Sequence, residues 1–490
     1  WTASPRPPFG GYGPSLANPL TGQIIAADVM LEYSFMKSRW LLEDLYTEGA
    51  SMDGQLANIP AELFCSAGHV MNNSLLAAKS IVSAAGGADK DIKELKEQSL
   101  TWLILHELGH TLGLNHNMKA SQQFSATDIH NSELTKGSII GSVMDYPTLN
   151  LAPPGVTQGD YAASRPGDYD DWAIEYGYST ALDDAEAEEA RLSKILSRST
   201  EPALAFGNDA DDMRAPGRHI DPRVMIFDMS SDAIAYSEGR IKLIKETFKN
   251  LKSRMTHDGE SYHKMVVGFN ALFFEYFYAN NVASRYISGI YIDRAVVGQE
   301  GATQPFTPVD LADQKRAIKL ISDYLFAPDV LEEAAPYYNY LQVQRRGFNN
   351  MGKNEDPKLH DMILNTQKNV LSHLLHKNLL KRMTDSALYG NKYHLNDFMT
   401  DLTNSIFAAD KHADVTTQRQ NLQIEYVNQL IGISGLKKAS PYDHLSKAAA
   451  MYQLNQINKT YKAKMFNSTA TKVHRDYVNQ LINDAFKAKR

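Results

Sequence analysis

A single cysteine, Cys65, stands in the 490 residues. No disulfide can therefore form within the chain, which fits a reducing compartment or an envelope protein that does not rely on disulfides. Long apolar runs are missing as well. The most apolar stretch, residues 266–282, is interrupted by Asn270, Glu275 and Asn280, so it is too short and too polar to span a bilayer and reads as a core helix. Nor is there an excess of positive charge. With 50 Lys and Arg against 57 Asp and Glu the net charge is −7, which gives no concentrated basic face for a nucleic-acid partner. No charged-then-apolar leader opens the chain, and its first residue is Trp1. A processed or truncated product, with N-terminal domains or a propeptide removed, is the expectation.

What is present is an ordinary globular composition, 43% hydrophobic and 22% charged, at a length that implies two to four domains. Against that background one stretch is unusual. Leu105-His106-Glu107-Leu108-Gly109-His110-Thr111-Leu112-Gly113-Leu114-Asn115-His116 spells HExxHxxGxxH. Residues four apart share a helix face, so His106 and His110 can offer two imidazoles to one cation, with Glu107 beside them. Gly113 can take the left-handed conformation that ends a helix and turns the chain, bringing in His116 as third ligand. Three histidines and one open position describe a catalytic zinc site rather than a closed structural one. A helix that merely contains histidines is the bland alternative. With five positions specified, a chance match in this length is on the order of 10⁻⁴.

Around this motif, residues 1–13 are rich in Pro and Gly and predict an irregular arm, and Asn18-Pro19-Leu20-Thr21-Gly22 a turn. Residues 23–31 have strand character and could form a sheet edge that takes a peptide as an added strand, or an ordinary core strand. Helices are expected over 35–48 and 61–85. Gly86-Gly87 stops the second, and Asp91 with Glu94 offers a capping-box start to a zinc helix over 91–112. Its ligands continue an apolar stripe of Ile92, Leu95 and Leu103, and residues 101–105 are apolar nearly all round.

Downstream lies Ser142-Val143-Met144-Asp145-Tyr146-Pro147. Together with the extended motif it resembles the metzincins, in which a turn places a methionine beneath the three histidines; Met144 stands at that position, packing rather than ligating. Tyr146 stands two residues later, as does the tyrosine that reaches the zinc or the oxyanion in astacin-like and serralysin-like metzincins. A tyrosine packed in the turn is the competing reading. Asn117, directly after the third histidine, fits neither of those two groups. The chain is more similar to the bacterial Met-zincin family of zinc-dependent envelope metalloproteases. The shared pieces are Gly13-Pro14-Ser15, Asn18-Pro19, Thr21 to Ile24, His106 to Ser121, Ser142 to Pro147 and Tyr169 to Tyr178. The family has aspartate and arginine where this chain has Asn18 and Leu20.

The resemblance implies an α+β fold: a zincin-like catalytic domain over 1–178 with a small sheet, a zinc helix and a methionine turn. Strands that normally precede the zinc helix are scarce, so either they are expected upstream of Trp1 or the sheet is unusually small. A mainly helical region over 179–490, in one or two subdomains, follows. A short helix over 170–176, stopped at Gly177, should pack behind the site, and an acidic helix over 183–197 should mark the boundary. Asn208, Asp209, Asp211, Asp212 and Asp221 offer oxygen ligands for Ca2+, but lack EF-hand spacing and read as a solvated acidic loop. Further helices are expected over 239–255, 262–281, 311–325, 358–383, 396–409, 416–433, 445–465 and 471–488, with a hairpin of 288–297 against 304–309. His373 and His376 read as surface or core histidines.

The function these residues imply is peptide-bond hydrolysis: Zn2+ on His106, His110 and His116 activates a water, Glu107 takes its proton, and Tyr146 can assist at the oxyanion. The partner is a peptide or protein substrate, and the resemblance implies a periplasmic, envelope or secreted location. A zinc-bearing binding or scaffold protein without efficient turnover is the alternative, and hydrolysis of a non-peptide amide a third.

Overall fold

In the computed structural model, residues 11–31, 67–211, 216–342, 356–462 and 468–488 are described. Cys65, Asp212, the helix expected over 35–48 and most of the N-terminal arm lie outside them.

The helix that carries the histidine motif begins where two glycines end its predecessor. Helix α1 (Ala67–Ala84) stops before Gly86 and Gly87, and Ala88 then runs extended (φ −80°, ψ 161°) into α2 (Asp89–Thr111). The Asp91 carboxylate accepts the Ala88 N–H at 2.8 Å. Asp91 is thus the third helical residue bonding back onto the cap and not the cap position itself, so the helix starts two residues earlier than the capping-box spacing suggests. Leu95, Trp102, Leu103 and His106 are buried on one face of α2. Ile104, Leu108 and Leu112, four apart, are 39%, 44% and 36% exposed, so the apolar stretch near the motif is not buried all round.

Strands are short and paired in twos. Strand β1 (Gly11–Tyr12) pairs antiparallel with β4 (Met30–Leu31), and β2 (Ser15–Ala17) with β3 (Ile24–Ala27). The turn at Asn18 to Gly22 closes the β2–β3 hairpin with the Asn18 carbonyl accepting Gly22 N–H at 2.8 Å. The strand expected over 23–31 is broken in two opposite Pro14: its carbonyl accepts Asp28 N–H at 3.1 Å, in register with both pairs, but proline has no N–H to return the paired bond. It is β1, with Gly13 against the Glu107 carbonyl, that lies on α2.

Helix α3 (Asp168–Tyr178) runs past Gly177 to its end, so that glycine does not stop it; nothing crowds the position, and Ser179 N–H still finds the Glu175 carbonyl. Helix α4 (Ala185–Leu196) is capped by Asp184. Helices α5 (Ala233–Met255) and α6 (His263–Ser284) pack on each other and on α1. The expected hairpin forms as β5 (Ile290–Ile292) with β6 (Phe306–Pro308). The remaining helices are α7 (Leu311–Tyr324), α8 (Leu359–Leu374), α9 (Lys377–Ser386), α10 (Leu395–Phe407), α11 (Thr417–Ser434), α12 (His444–Lys462) and α13 (Thr469–Ala488). The single helix expected over 358–383 is split, because His376 takes an extended conformation and its Nδ1 accepts Asn378 N–H at 3.2 Å, capping α9. No described helix is long and apolar enough to cross a membrane.

One hydrophobic cluster runs from Leu31 to Ala485. Main-chain bonds cross the boundary expected near residue 178. Met225 N–H meets the Met118 carbonyl at 3.1 Å, Phe227 N–H the Tyr146 carbonyl at 2.9 Å, and Ser230 N–H the Ser121 carbonyl at 3.0 Å. Buried Glu275 of α6 accepts from Ser74 Oγ at 2.5 Å and Thr148 Oγ1 at 3.1 Å. Residues just after the Met144 turn are thereby tied to the helices.

Candidate metal centre

The local sequence places two imidazoles on one face of α2, and the chain reversal brings the third. After Leu112 (φ −87°, ψ 2°) Gly113 takes φ +87°, a conformation that costs an L side chain about 1 kcal/mol or more. Leu114 N–H then bonds the Gly109 carbonyl at 3.0 Å, closing the helix end. The outcome is a cluster of His106, His110 and His116 whose ligand atoms lie within 4.8 Å of one another. Ring centroids are 4.8 Å apart for His106 and His110, 5.4 Å for His106 and His116, and 4.8 Å for His110 and His116. Among the described residues no other group of three or more His, Cys, Asp or Glu side chains stands close enough to hold a metal ion.

Hydrogen bonds at the far side of each ring set its tautomer. His106 Nδ1 lies 2.8 Å from the Val143 carbonyl and His110 Nδ1 3.1 Å from the Leu114 carbonyl. A carbonyl can only accept, so both Nδ1 atoms carry the proton and both Nε2 atoms present lone pairs. His116 Nδ1 meets the Asp209 carboxylate, which fixes the same tautomer. Burial, reinforced by repulsion from the neighbouring imidazoles, holds His106 well below the usual 6.5; burial and then His116 bring His110 down to about 4. Three imidazoles this close, with no fourth His, Cys, Asp or Glu in their group among the described residues, fit zinc with an open position.

Three further features shape the site. The Met144 side chain, fully buried, packs against Gly109 so closely that a Cβ there would run into its Sδ. Tyr146 is fully buried, and its hydroxyl lies 2.8 Å from His116 Nε2. Glu107 is fully buried next to His106. Met144 and Tyr146 of the turn thus stand against the helix and the third histidine. His373 does not join them; it is a core histidine, bonded to Arg285 at 3.2 Å.

Behind the turn, the Asp170 carboxylate of α3 accepts from Ser142 Oγ at 2.5 Å, Val143 N–H at 2.8 Å and Gly167 N–H at 2.9 Å. It thereby holds the carbonyl that orients His106. Asp145 accepts Tyr146 N–H at 2.6 Å and Ser121 N–H at 2.7 Å, while Asp228 accepts Ser121 Oγ at 2.8 Å and Gln122 Nε2 at 3.0 Å. Burial, with the Asp228 carboxyl beside it, raises Asp145 well above the usual carboxylate range, and burial raises Asp228 to about 7.

Sequence reading missed Gly109, Asp209 and the reach of Asp170. Gly109 left a signal, since a glycine inside a helix costs about 1 kcal/mol against alanine and so points to a close approach. Asp209 left none: it lies 93 residues from its partner, within a run read as a solvated acidic loop. Asp221 of that loop pairs with Arg223 at 2.8 Å and with Lys119 at 3.4 Å.

Comparison with known proteins gives one match, residues 88–414 to the family model described as Met-zincin, which is well over half of the chain. No curated protein and no solved structure matches.

Proposed function

The chain belongs to the Met-zincin family, and from that premise we propose that it is a zinc-dependent metalloendopeptidase whose catalytic centre is built on α2. The observation that carries this reading is the convergence of His106, His110 and His116, whose ligand atoms lie within 4.8 Å of one another and whose Nδ1 atoms each have a hydrogen-bond partner, next in sequence to a buried Glu107. His106, His110 and His116 would hold zinc, which when bound would supply Lewis acidity to activate a water near neutral pH and polarise a carbonyl.

The chain's own groups do the rest. Glu107 takes the proton of the attacking water and returns it to the leaving amine, a role worth about 10²–10⁴-fold. The Tyr146 hydroxyl, 2.8 Å from a ligand nitrogen, donates to the oxygen that gains charge as the carbonyl becomes tetrahedral. Met144 and Gly109 form the floor that keeps the histidine rings in place. The dry surround strengthens each of these interactions. We carry the envelope or secreted location over from the family.

The test is an assay of the chain on an unfolded protein substrate, with and without chelator, followed by zinc re-addition. Chelator-sensitive cleavage restored by zinc is the expected result. Bound zinc with no cleavage would hand the chain to the scaffold alternative, and no bound zinc would overturn both.

A further inference from the structure

We propose that Asp209 is the positioning carboxylate that sets the metal affinity of the centre, an inference that rests on the metal-site reading above. The other two histidines give their Nδ1–H to neutral main-chain carbonyls, His106 to Val143 and His110 to Leu114. His116 alone gives it to a carboxylate, and one that arrives from 93 residues downstream. A charged acceptor makes a hydrogen bond roughly twice as strong as a neutral one and raises the basicity of the opposite ring nitrogen, the one that would bind the metal. His116 also has the greatest need of such a partner. It lies beyond the end of α2, so no helix backbone holds it as it holds His106 and His110.

The loop that delivers Asp209 is anchored by the residues next to the ligand. Asn117 Nδ2 donates to the Ala205 carbonyl at 3.0 Å, and Asn117 Oδ1 accepts Gly207 N–H at 3.2 Å. Met118 N–H bonds the Gly207 carbonyl at 2.7 Å. Asn208 Oδ1 then accepts Ala210 N–H at 2.9 Å, folding the chain around Asp209. Phe206 stacks on Tyr169 of α3 at 5.6 Å between centroids. Position 117 needs one donor and one acceptor on the same side chain, which an amide has and a carboxylate lacks. The residue after the third histidine thus acts as the clamp for a distant carboxylate, and a segment beyond the boundary expected near residue 178 contributes to holding the metal.

The experiment compares full-length wild type with Asp209→Ala, Asp209→Asn and Asp209→Glu. It reads the zinc dissociation constant by competition with a chromophoric chelator, the absorption spectrum of the cobalt(II) form, and the melting temperature of the metal-free protein. Asp209→Ala should weaken zinc binding by roughly 10–100-fold and shift the cobalt bands, with the metal-free melting temperature unchanged. Asp209→Asn should fall between it and wild type, and Asp209→Glu should recover most of the affinity. Should Asp209→Ala perturb the fold, Asp209→Asn decides, since it keeps the shape and loses only the charge. Zinc affinities within twofold of wild type and unshifted cobalt bands in both variants would overturn the proposal. A wild type that binds no zinc would overturn the metal-site reading itself, a distinct outcome.

Discussion

Gly109 and Met144 share one volume: the Met144 Sδ occupies the space that a Cβ on residue 109 would need. The helix that carries two of the histidines is therefore set against the turn beneath it by the absence of a side chain. Gly109→Ala gains helix propensity of about 1 kcal/mol but must displace Met144, an overpacking cost of about 1–3 kcal/mol. The expected result is a lower urea midpoint at unchanged m-value and a loss of zinc affinity. Gly109→Ala combined with Met144→Ala should recover part of both, and a single variant as stable as wild type would contradict the packing argument.

Glu107 and the histidines can be separated by one substitution. Glu107→Gln keeps the side-chain shape and removes the base, so zinc content should stay at the wild-type level while kcat falls by about 10²–10⁴-fold. Metal analysis alongside a peptide-cleavage assay makes the check. Full activity in Glu107→Gln would remove the residue from the mechanism.

Tyr146 meets His116 Nε2 at 2.8 Å, and the two readings of that contact differ in kinetics. If the hydroxyl donates to the oxyanion, Tyr146→Phe should lower kcat about a hundredfold with KM and zinc content little changed. A tyrosine that only packs in the turn would show a drop in stability and no selective loss of kcat.

The Asp145 and Asp228 pair gives the chain a pH dependence of definite sign. Burial raises Asp228 from the usual 3.8 to about 7, so the folded state binds a proton that the unfolded state releases between about pH 4 and pH 7. Stability from this group is present below the unfolded value and is lost as pH rises through about 7. Denaturation midpoints should therefore decline between about pH 4 and 7 and level off above it, and Asp228→Asn, which keeps the shape without the ionisation, should flatten that decline. Equal slopes in wild type and variant would show that Asp228 does not carry it.

The fold and the centre were legible to different depths. The helix bearing His106 and His110 followed from spacing, as did Gly113 at its end, because both depend on backbone geometry repeated every few residues. Helix limits moved where a side chain competed with the expected pattern: Asp91 caps backward onto Ala88, and His376 breaks the helix expected over 358–383. Ile104, Leu108 and Leu112 stayed exposed, since hydrophobicity alone does not say which face finds a partner.

The chain's sequence by itself determined which atoms can bind a metal, their order and the turn that joins them, since these are local properties of eleven residues. Only the tertiary structure decided what orients them. The Val143 carbonyl on His106 is held by Asp170, the carboxylate on His116 comes from Asp209, and Met144 reaches Gly109 across thirty-odd residues. Each is a pairing between distant segments, fixed by how the helices and loops pack, and no local period encodes it.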